Sequence, residues 1–300
     1  MPIKDAAKFV APFRVTSGKK FKLAEHATDS LGGHELTKEE GKLLLEEGKL
    51  RLAEMQERLY AADQWSVLII LQAMDAAGKD STIEHVMSGV NPQGCQVHSF
   101  KAPSSEELDH DFLWRSAKNL PERGRIGIHN RSYYEEVLVV RVHPEFLKAQ
   151  RLPLDGVGST PGSDEFWDER LEAIADHERH LARAGTKVIK FFLHVSKEEQ
   201  KQRQLERIDD PVKNWKFNAR DVEERAFWDD YMAAYEQAIR NTAAPHAPWY
   251  VIPADRKWFM RLAVMNAIIA EMEELKLEYP QLSKEETKKL AAARKALLAS

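Results

Sequence analysis

The sequence predicts an α/β protein: a three-layer α/β/α fold with a central parallel sheet, a helical lid and helical extensions at both ends. Short continuous apolar runs, typical of strands buried on both faces, recur along the chain. Amphipathic helical patterns separate these runs, so strands and helices alternate. Such alternation favours βαβ units, in which crossover helices cover both faces of a parallel sheet.

The elements follow in chain order. Residues 1–36 are mixed in character and predict an irregular N-terminal arm. Thr37 and Glu40 have the spacing of a capping box and open a predicted helix that runs to about Ala62. Similar boxes open three later helices, at Ser104/Glu107, Ser196/Glu199 and Ser283/Glu286. Strands are predicted at Val67–Leu71, Gln96–Phe100, Ile126–Asn130, Lys187–Val195 and Trp249–Ile252.

The chain divides into one main domain and two additions. Residues 37–275 hold all the predicted strands and form the expected catalytic domain, with a lid at about 197–220. Residues 276–300 form a helical tail. Pro153–Ser163 is rich in glycine and proline and predicts a connecting loop within the domain.

Composition excludes several classes of protein. Hydrophobic residues make up 43% of the 300 positions and charged residues 31%, which excludes a mainly disordered chain. No apolar run approaches the roughly 20 residues of a membrane helix, and the first residues lack the apolar core of a secretion signal. The single cysteine, Cys95, allows no disulfide within the chain. We therefore expect a cytoplasmic protein that does not bind membranes.

The net charge and the spacing of the histidines limit the range of possible functions. The net charge is −4, so an anionic substrate needs a local basic patch rather than a global field. No nucleic-acid-binding motif is present. The 11 histidines show no metal-ligand spacing, and His129, within an apolar strand, is predicted to be a core residue.

The segment Val67–Ile83, VLIILQAMDAAGKDSTI, carries the strongest functional signal. A buried strand leads into a small-residue turn and then into a helix, the context of a phosphate-binding P-loop. Lys79 would contact phosphate as a point charge, and backbone N–H groups would hold phosphate oxygens. The expected phosphate-binding positions are Ala76, Ala77, Gly78, Asp80, Ser81 and Thr82. The strict pattern GxxxxGK[ST] is not met, since Ala73 and Asp80 replace its first glycine and its last residue.

Asp75 is an unusual residue for a phosphate cradle, because its carboxylate would repel the ligand. A bridging Mg²⁺ would resolve this, since Mg²⁺ prefers one or two carboxylates together with phosphate oxygens and water. We therefore predict that Asp75 anchors the metal. The alternative is that Asp75 and Asp80 only cap the following helix.

Polar residues also follow the strand Ile126–Asn130. In P-loop folds a carboxylate directed at the metal usually stands there, but this chain has Asn130, which would reach metal-bound water or phosphate. Arg131 would hold phosphate oxygens with its planar fork, and Glu135 belongs to the same predicted site. A plain helix cap by Asn130 or Ser132 is the alternative.

Lys197–Lys216 is the third candidate, a basic segment after the fourth predicted strand. Arg203 and Arg207 are spaced i, i+4 and share one helix face. Lids that supply positive charge to a transferring phosphoryl group occur at this place in nucleotide kinases. Lys213 and Lys216 would add to that charge. A merely solvated helix face is the alternative.

Together these segments resemble polyphosphate kinase family 2, from roughly Leu43 to Leu275. AMDAAGKDSTI looks like that family's modified Walker A motif and NRSYYEEVLVVRVH like its Walker B segment. KEEQKQRQLERIDDPVKNWKF resembles its lid, and WDDYMAAYEQAI with APWYVIPADRKW resembles its C-terminal signature. Many members carry Asp-Arg-Ser-Trp where this chain has Asn130-Arg131-Ser132-Tyr133. The form found here resembles the subgroup that accepts both AMP and ADP.

The resemblance implies a P-loop kinase-like fold and a Mg²⁺-dependent phosphoryl transfer, with Mn²⁺ as a substitute. The substrates would be inorganic polyphosphate and adenine or guanine nucleotides. It also implies a homo-oligomer, a dimer or a tetramer. The catalytic residues would be Asp75, Lys79, Arg131, Arg203 and Arg207. An ATP-dependent nucleoside monophosphate kinase and a non-catalytic nucleotide-binding module remain as alternatives.

Overall fold

A computed structural model describes residues 3–153 and 158–299 of the chain. Its strands are Arg14–Val15 (β1), Ser66–Gln72 (β2), Cys95–Ser99 (β3), Ile126–Asn130 (β4), Thr186–His194 (β5) and Trp249–Pro253 (β6). Its α-helices are Ala6–Val10 (α1), Lys38–Ala62 (α2), Lys79–Met87 (α3), Ser105–Leu108 (α4), Trp114–Ala117 (α5), Val139–Val142 (α6), Leu147–Gln150 (α7), Asp164–Arg183 (α8), Lys197–Asp209 (α9), Ala219–Glu223 (α10), Trp228–Thr242 (α11), Lys257–Glu273 (α12) and Lys284–Ala299 (α13).

The six strands form one sheet in the order β1-β6-β5-β2-β4-β3. All neighbours pair in parallel except β1, which runs antiparallel to β6 at the edge. Every residue of β2 is buried, because this strand lies between β4 and β5 at the centre of the sheet. Strands β3 and β4 lie on one side of β2, whereas β5 and β6 lie on the other side. Ligands of open α/β sheets bind beyond the carboxyl ends of the strands at such a reversal.

Helices cover both faces of the sheet, as predicted. On one face α12 packs against the sheet, with α1, α2 and α3 around it. On the other face α8 and α11 pack against each other, and α8 also contacts β5. Most of α12 is buried because it lies between the sheet and the outer helices, so its apolar residues occur all around it.

The five predicted strands are all present, and their ends differ from the prediction by one residue at most. The predicted helix after Thr37 is confirmed as α2: Thr37 Oγ1 accepts from the N–H of Glu40, and a Glu40 carboxylate oxygen accepts from the N–H of Thr37. Ser104 and Ser283 form the same reciprocal pairs. Ser196 caps α9 by accepting from the N–H of Glu199, but its own N–H donates to Asp255 and not to Glu199, so the box predicted there is only half formed.

The N-terminal segment corrects the prediction of an irregular arm. It contains α1 and β1, and Phe13 packs edge-on against Phe259 of α12 at 5.8 Å between ring centroids. Arg14 pairs with Glu271 through Nε at 2.9 Å. The segment is too short to show a helix or strand period, and its order comes from these contacts with α12 and β6.

The predicted loop Pro153–Ser163 lies partly outside the described residues. Its described end, residues 158–163, is non-helical and leads into α8, which Ser163 caps. The predicted tail helix is α13, and each of its described side chains is exposed. Within the described ranges, no helix has the length and hydrophobicity needed to cross a bilayer.

Candidate active site

The predicted phosphate loop joins β2 to α3 at the carboxyl edge of the sheet. Ala76 and Gly78 have positive φ angles of 61° and 109°, which turn the chain sharply before the helix begins. Glycine accepts such angles without strain, whereas alanine rarely adopts them. At Gly78 a Cβ atom would lie 3.3 Å from the Cε of Met260, so packing also favours glycine there.

Lys79 is the first residue of α3, and its ammonium group folds back over the loop. Its Nζ donates to the backbone oxygens of Ala73 at 2.7 Å and Met74 at 3.4 Å. Burial lowers the pKa of Lys79, and the nearby carboxylate of Asp75 opposes that shift. Because an ammonium group has three donors, a phosphate oxygen can share this lysine with the loop.

The start of α3 offers backbone donors to an anion. No side chain caps the first turn of this helix within the described part of the chain. Ser81 Oγ and Thr82 Oγ1 both donate to the backbone oxygen of Gly78, at 3.1 and 2.9 Å. Unpaired N–H groups and the positive end of the helix dipole favour a phosphate at this place.

Asp75 faces Arg131 across the loop. The pairing of β2 with β4 places Leu71 opposite Asn130, so the residues after both strands meet. Arg131 Nη2 lies 3.2 Å from a carboxylate oxygen of Asp75, and both side chains are partly exposed. The backbone φ of Arg131 is +64°, a strained value for arginine that directs the chain over the loop.

The side chain of Asn130 forms a hydrogen bond with Asp80. Its amide nitrogen donates to Asp80 Oδ1 at 2.6 Å and to Ser99 Oγ at 3.5 Å, so only the amide oxygen of Asn130 remains to meet a water or a ligand. Asn130 and Asp80 are two of the three positions, with Ala73, at which the sequence departs from a strict P-loop kinase pattern. The structure joins the two departures in one hydrogen bond.

Two tyrosines anchor the segment that carries Arg131 and Glu135. Tyr133 and Tyr134 are fully buried, and both hydroxyls donate to Glu178 of α8, at 3.0 and 2.9 Å. Lys190 of β5 pairs with the same carboxylate at 2.5 Å. This buried network fixes the turn after β4 against the core. The sequence did not indicate Glu178, which lies far along the chain on a helix whose surface is mostly polar.

Glu135 lies beside the phosphate loop, as predicted. Burial raises its pKa, while the positive charges of Arg131 and Lys79 oppose the shift. The amide of Gln72 at the end of β2 opposes the shift as well. The pKa of Asp221 in α10 is also raised by burial and by the charge of Asp75. Asp221 lies 3.7 Å from Arg207 of the lid, and the sequence analysis missed it.

The lid arginines occupy different places. Arg203 is buried, and its guanidinium donates to backbone oxygens of the phosphate loop and of the turn after β6. Arg207, one turn later, lies 3.7 Å from Asp221 and is a quarter exposed. Lys213 and Lys216 lie on the exposed part of the lid, where Lys213 pairs with Asp210 and Lys216 lies over the ring of Trp215.

The structure thus brings most predicted residues together at one end of β2. Asp75, Lys79, Asp80, Asn130, Arg131 and Glu135 surround the phosphate loop. A phosphate loop at the central strand of a parallel sheet, with arginine side chains from the next strand and from a helical lid, defines a P-loop phosphotransferase.

Comparisons with known proteins give the family. The family model described as polyphosphate kinase 2 matches residues 35–280. The chain is 51% identical over 286 residues to the ADP-polyphosphate phosphotransferase of Rhodopseudomonas palustris, covering 95% of this chain and 97% of that protein. It is 44% identical over 269 residues to the AMP/ADP-polyphosphate phosphotransferase of Meiothermus ruber, covering 90% and 95% of the two chains.

A solved structure agrees with these sequence matches. The crystal structure of polyphosphate kinase 2 from Arthrobacter aurescens aligns with a TM-score of 0.87 and 39% identity, over 100% of this chain and 99% of that chain. The chain belongs to the polyphosphate kinase 2 family.

Proposed function

We propose that this protein transfers a terminal phosphoryl group between inorganic polyphosphate and nucleoside mono- or diphosphates, converting AMP to ADP and ADP to ATP. The observation that carries the proposal is the cluster of Lys79, Arg131 and Asp75 around the phosphate loop. The relatives named ADP-polyphosphate and AMP/ADP-polyphosphate phosphotransferase, each matched over at least 90% of this chain, support these substrates.

The residues supply what phosphoryl transfer needs. In such reactions the protein mainly positions two phosphate chains and neutralises charge on the moving group. Lys79 and the N–H groups at the start of α3 would bind one chain, and Arg131 would contact the transferring group. Arg207, which lies 3.7 Å from Asp221, would contact the phosphates from the lid.

We also propose that Mg²⁺, or Mn²⁺ in its place, is the cofactor. Asp75 and Asp80 place two carboxylates beside the loop, and Asp75 is partly exposed. Within the described ranges no group of three or more His, Cys, Asp or Glu side chains could hold a metal by itself. That donor set suits Mg²⁺, which takes few protein carboxylates and completes its shell with phosphate oxygens and water. The metal would neutralise charge on the bound phosphates.

The decisive assay supplies polyphosphate with ADP and no ATP. Formation of ATP is the expected result, and a panel of AMP, ADP, GMP and GDP then measures the base and phosphate preference. If polyphosphate yields no ATP but the protein transfers a phosphoryl group from ATP to AMP, the protein is an ATP-dependent nucleoside monophosphate kinase instead. A folded protein without turnover in either assay would indicate a binding module.

We propose a cytoplasmic location, because the chain has a single cysteine, Cys95, which is partly buried. We propose a homodimer or homotetramer, because α2 exposes Leu43 and Leu50, with 69% and 76% of their surfaces accessible. Sedimentation of the full chain measures the oligomeric state.

A further inference from the structure

Three successive carbonyl groups of the phosphate loop accept hydrogen bonds from one helix, α9. Gln200 Nε2 donates to the oxygen of Asp75 at 3.0 Å. Arg203 Nη1 donates to the oxygens of Ala76 at 3.3 Å and Ala77 at 2.7 Å. Both donor side chains are almost fully buried, with 1% and 4% of their surfaces exposed.

Arg203 also ties α9 to the turn that follows β6. Its Nη2 donates to the oxygens of Ala254 at 2.5 Å and Asp255 at 3.2 Å, and its Nε donates to Glu199 at 2.8 Å. A guanidinium group has five N–H donors in a rigid fork. The donors of Arg203 are directed to the protein itself, which corrects the expectation from the sequence that this arginine faces the transferring phosphate.

These contacts determine which way the loop presents its N–H groups. In a trans peptide the C=O and the following N–H point in opposite directions. Carbonyls held toward α9 therefore direct the N–H groups of Ala76 and Gly78 away from it, whereas the N–H of Ala77 turns back to Met74. The loop keeps this shape although Ala76 has a positive φ of 61°, which alanine adopts only when its surroundings impose it.

We propose that Gln200 and Arg203 are positioning residues, which hold the phosphate loop in its anion-binding shape and do not touch the substrate. This inference rests on the proposed function only in taking the loop as a phosphate site. It also locates the moving part of the lid. Since α9 is bonded to the loop and to the turn after β6, α9 stays in place and the lid moves beyond Asp209, in residues 210–223, most of which are exposed.

The test is hydrogen exchange of the substrate-free full-length protein, which needs no turnover. In Arg203→Lys, whose ammonium group cannot span four carbonyls, the amides of residues 74–79 should exchange about tenfold faster than in the original protein. Gln200→Met removes one donor without removing a charge and should accelerate the same amides to a smaller degree. Amide exchange in the central strand β2 shows whether the fold of each variant is intact.

Two matched variants on the same helix serve as controls. Lys201→Ala removes an exposed side chain whose nearest acid is Glu198, at 3.7 Å, and should change neither loop exchange nor activity. Arg207→Ala should reduce turnover while the loop exchanges at the original rate. In Arg203→Lys and Gln200→Met the KM for polyphosphate should rise together with loop exchange, because a disordered loop binds phosphate less tightly.

The outcomes separate this inference from the proposed function. Suppose that Arg203→Lys and Gln200→Met fold and lose turnover, but their loop amides exchange at the same rate as in the original protein. That result would overturn the inference and would indicate that Arg203 contacts phosphate directly. If Arg203→Lys does not fold, Gln200→Met alone decides in the same way. Faster loop exchange supports the inference even if the protein fails to make ATP from polyphosphate. Added pyrophosphate and ADP should slow exchange in 210–223 and leave α9 unchanged; slowing of both would overturn the fixed position of α9.

Discussion

Asp75 is tolerated inside a phosphate loop because Arg131 lies beside it. The arginine offsets the negative charge, and the two side chains lie 3.2 Å apart. The alternative that Asp75 caps α3 gains no support, since no side chain of the described residues caps that helix. At the scale of single residues, the negative charge in the loop is therefore paired with a positive one.

Replacement of Lys79 by alanine should reduce turnover by about a hundredfold or more, because it removes a charge directed at the phosphates. The fold should survive, since Lys79 is partly exposed and its hydrogen bonds go only to the loop. Steady-state kinetics and the melting temperature measure the two effects. Turnover that stays within a few-fold of the original in a folded variant would contradict the assignment of the phosphate loop.

Asp75→Asn should weaken activity at low Mg²⁺ and recover in part at higher Mg²⁺ or with Mn²⁺. The amide keeps the shape of the side chain but binds a divalent metal less strongly. Titration of activity against metal concentration is the measurement. If Asp75 served only the helix, the variant would lose about 1 kcal/mol of stability or less and keep its metal dependence.

Asn130→Asp should raise the dependence on metal. The new carboxylate would lie 2.6 Å from Asp80 Oδ1, where Asn130 now donates a hydrogen bond. Two carboxylates so close cannot both ionise freely without a cation between them. We expect the ratio of activity at saturating Mg²⁺ to activity at low Mg²⁺ to be higher in this variant than in the original protein. A variant whose Mg²⁺ titration is unchanged would show that Asn130 lies outside the metal's reach.

Among the elements, the lid combines a fixed half and an exposed half. Helix α9 is anchored by buried side chains, whereas residues 211–220 are all exposed. The end of the lid is fastened again by Glu224, which accepts from His143 Nε2 and from the Tyr231 hydroxyl, both at 2.8 Å. The exposed segment between these anchors is therefore free to close over a substrate while its ends stay in place.

Limited proteolysis should cut the lid near Asp209–Lys213, and pyrophosphate with ADP should slow the cut. The physical reason is that closure removes the exposed segment from the protease. Arg207→Ala should reduce turnover strongly and weaken this protection, because arginines directed at the transferring group act mainly in the transition state. If cleavage is equally fast with and without ligand and Arg207→Ala is active, Arg207 lies on a merely solvated face of α9 and the lid assignment is wrong.

For the whole molecule, two buried histidines predict the response to acid. Burial lowers the pKa of His129 and of His194 to about 4. His129 is fully buried, as the sequence predicted for a core residue, and its Nε2 lies 3.0 Å from the oxygen of Asn119. Both rings stay neutral in the folded protein at pH values where the unfolded chain takes up protons.

The free energy of unfolding should therefore fall as the pH decreases from about 6.5 to 4, where the unfolded chain binds more protons. The loss from His129 is at most about 3 kcal/mol. Burial raises the pKa of Glu178 and of Glu135, which acts in the opposite direction and offsets part of the loss. Urea unfolding at several pH values measures the slope. His129→Gln should flatten it, whereas the exposed His110→Gln should leave it unchanged.

The order of elements and the phosphate loop could be predicted from the sequence because both depend on neighbouring residues. The buried strands are continuous apolar runs, Thr37 and Glu40 lie one helical turn apart, and Gly78-Lys79 stands where the short turn after a strand leads into a helix. Local spacing alone determines such features. Gln200 had an indirect signal, since it shares a helix face with Arg203 and Arg207.

What each charged side chain contacts was decided only by the tertiary structure. Arg203 meets Ala77, 126 positions away in the chain, and Asn130 meets Asp80, 50 positions away. A helical pattern places Arg203 and Arg207 on one face, but it does not show that one is buried against backbone oxygens while the other stays near Asp221. The sequence determined the fold class and the phosphate loop. Packing between distant segments decided that Arg203 contacts backbone oxygens of the loop while Arg207 stays near Asp221, because burial and hydrogen-bond partners exist only once the sheet and its helices have assembled.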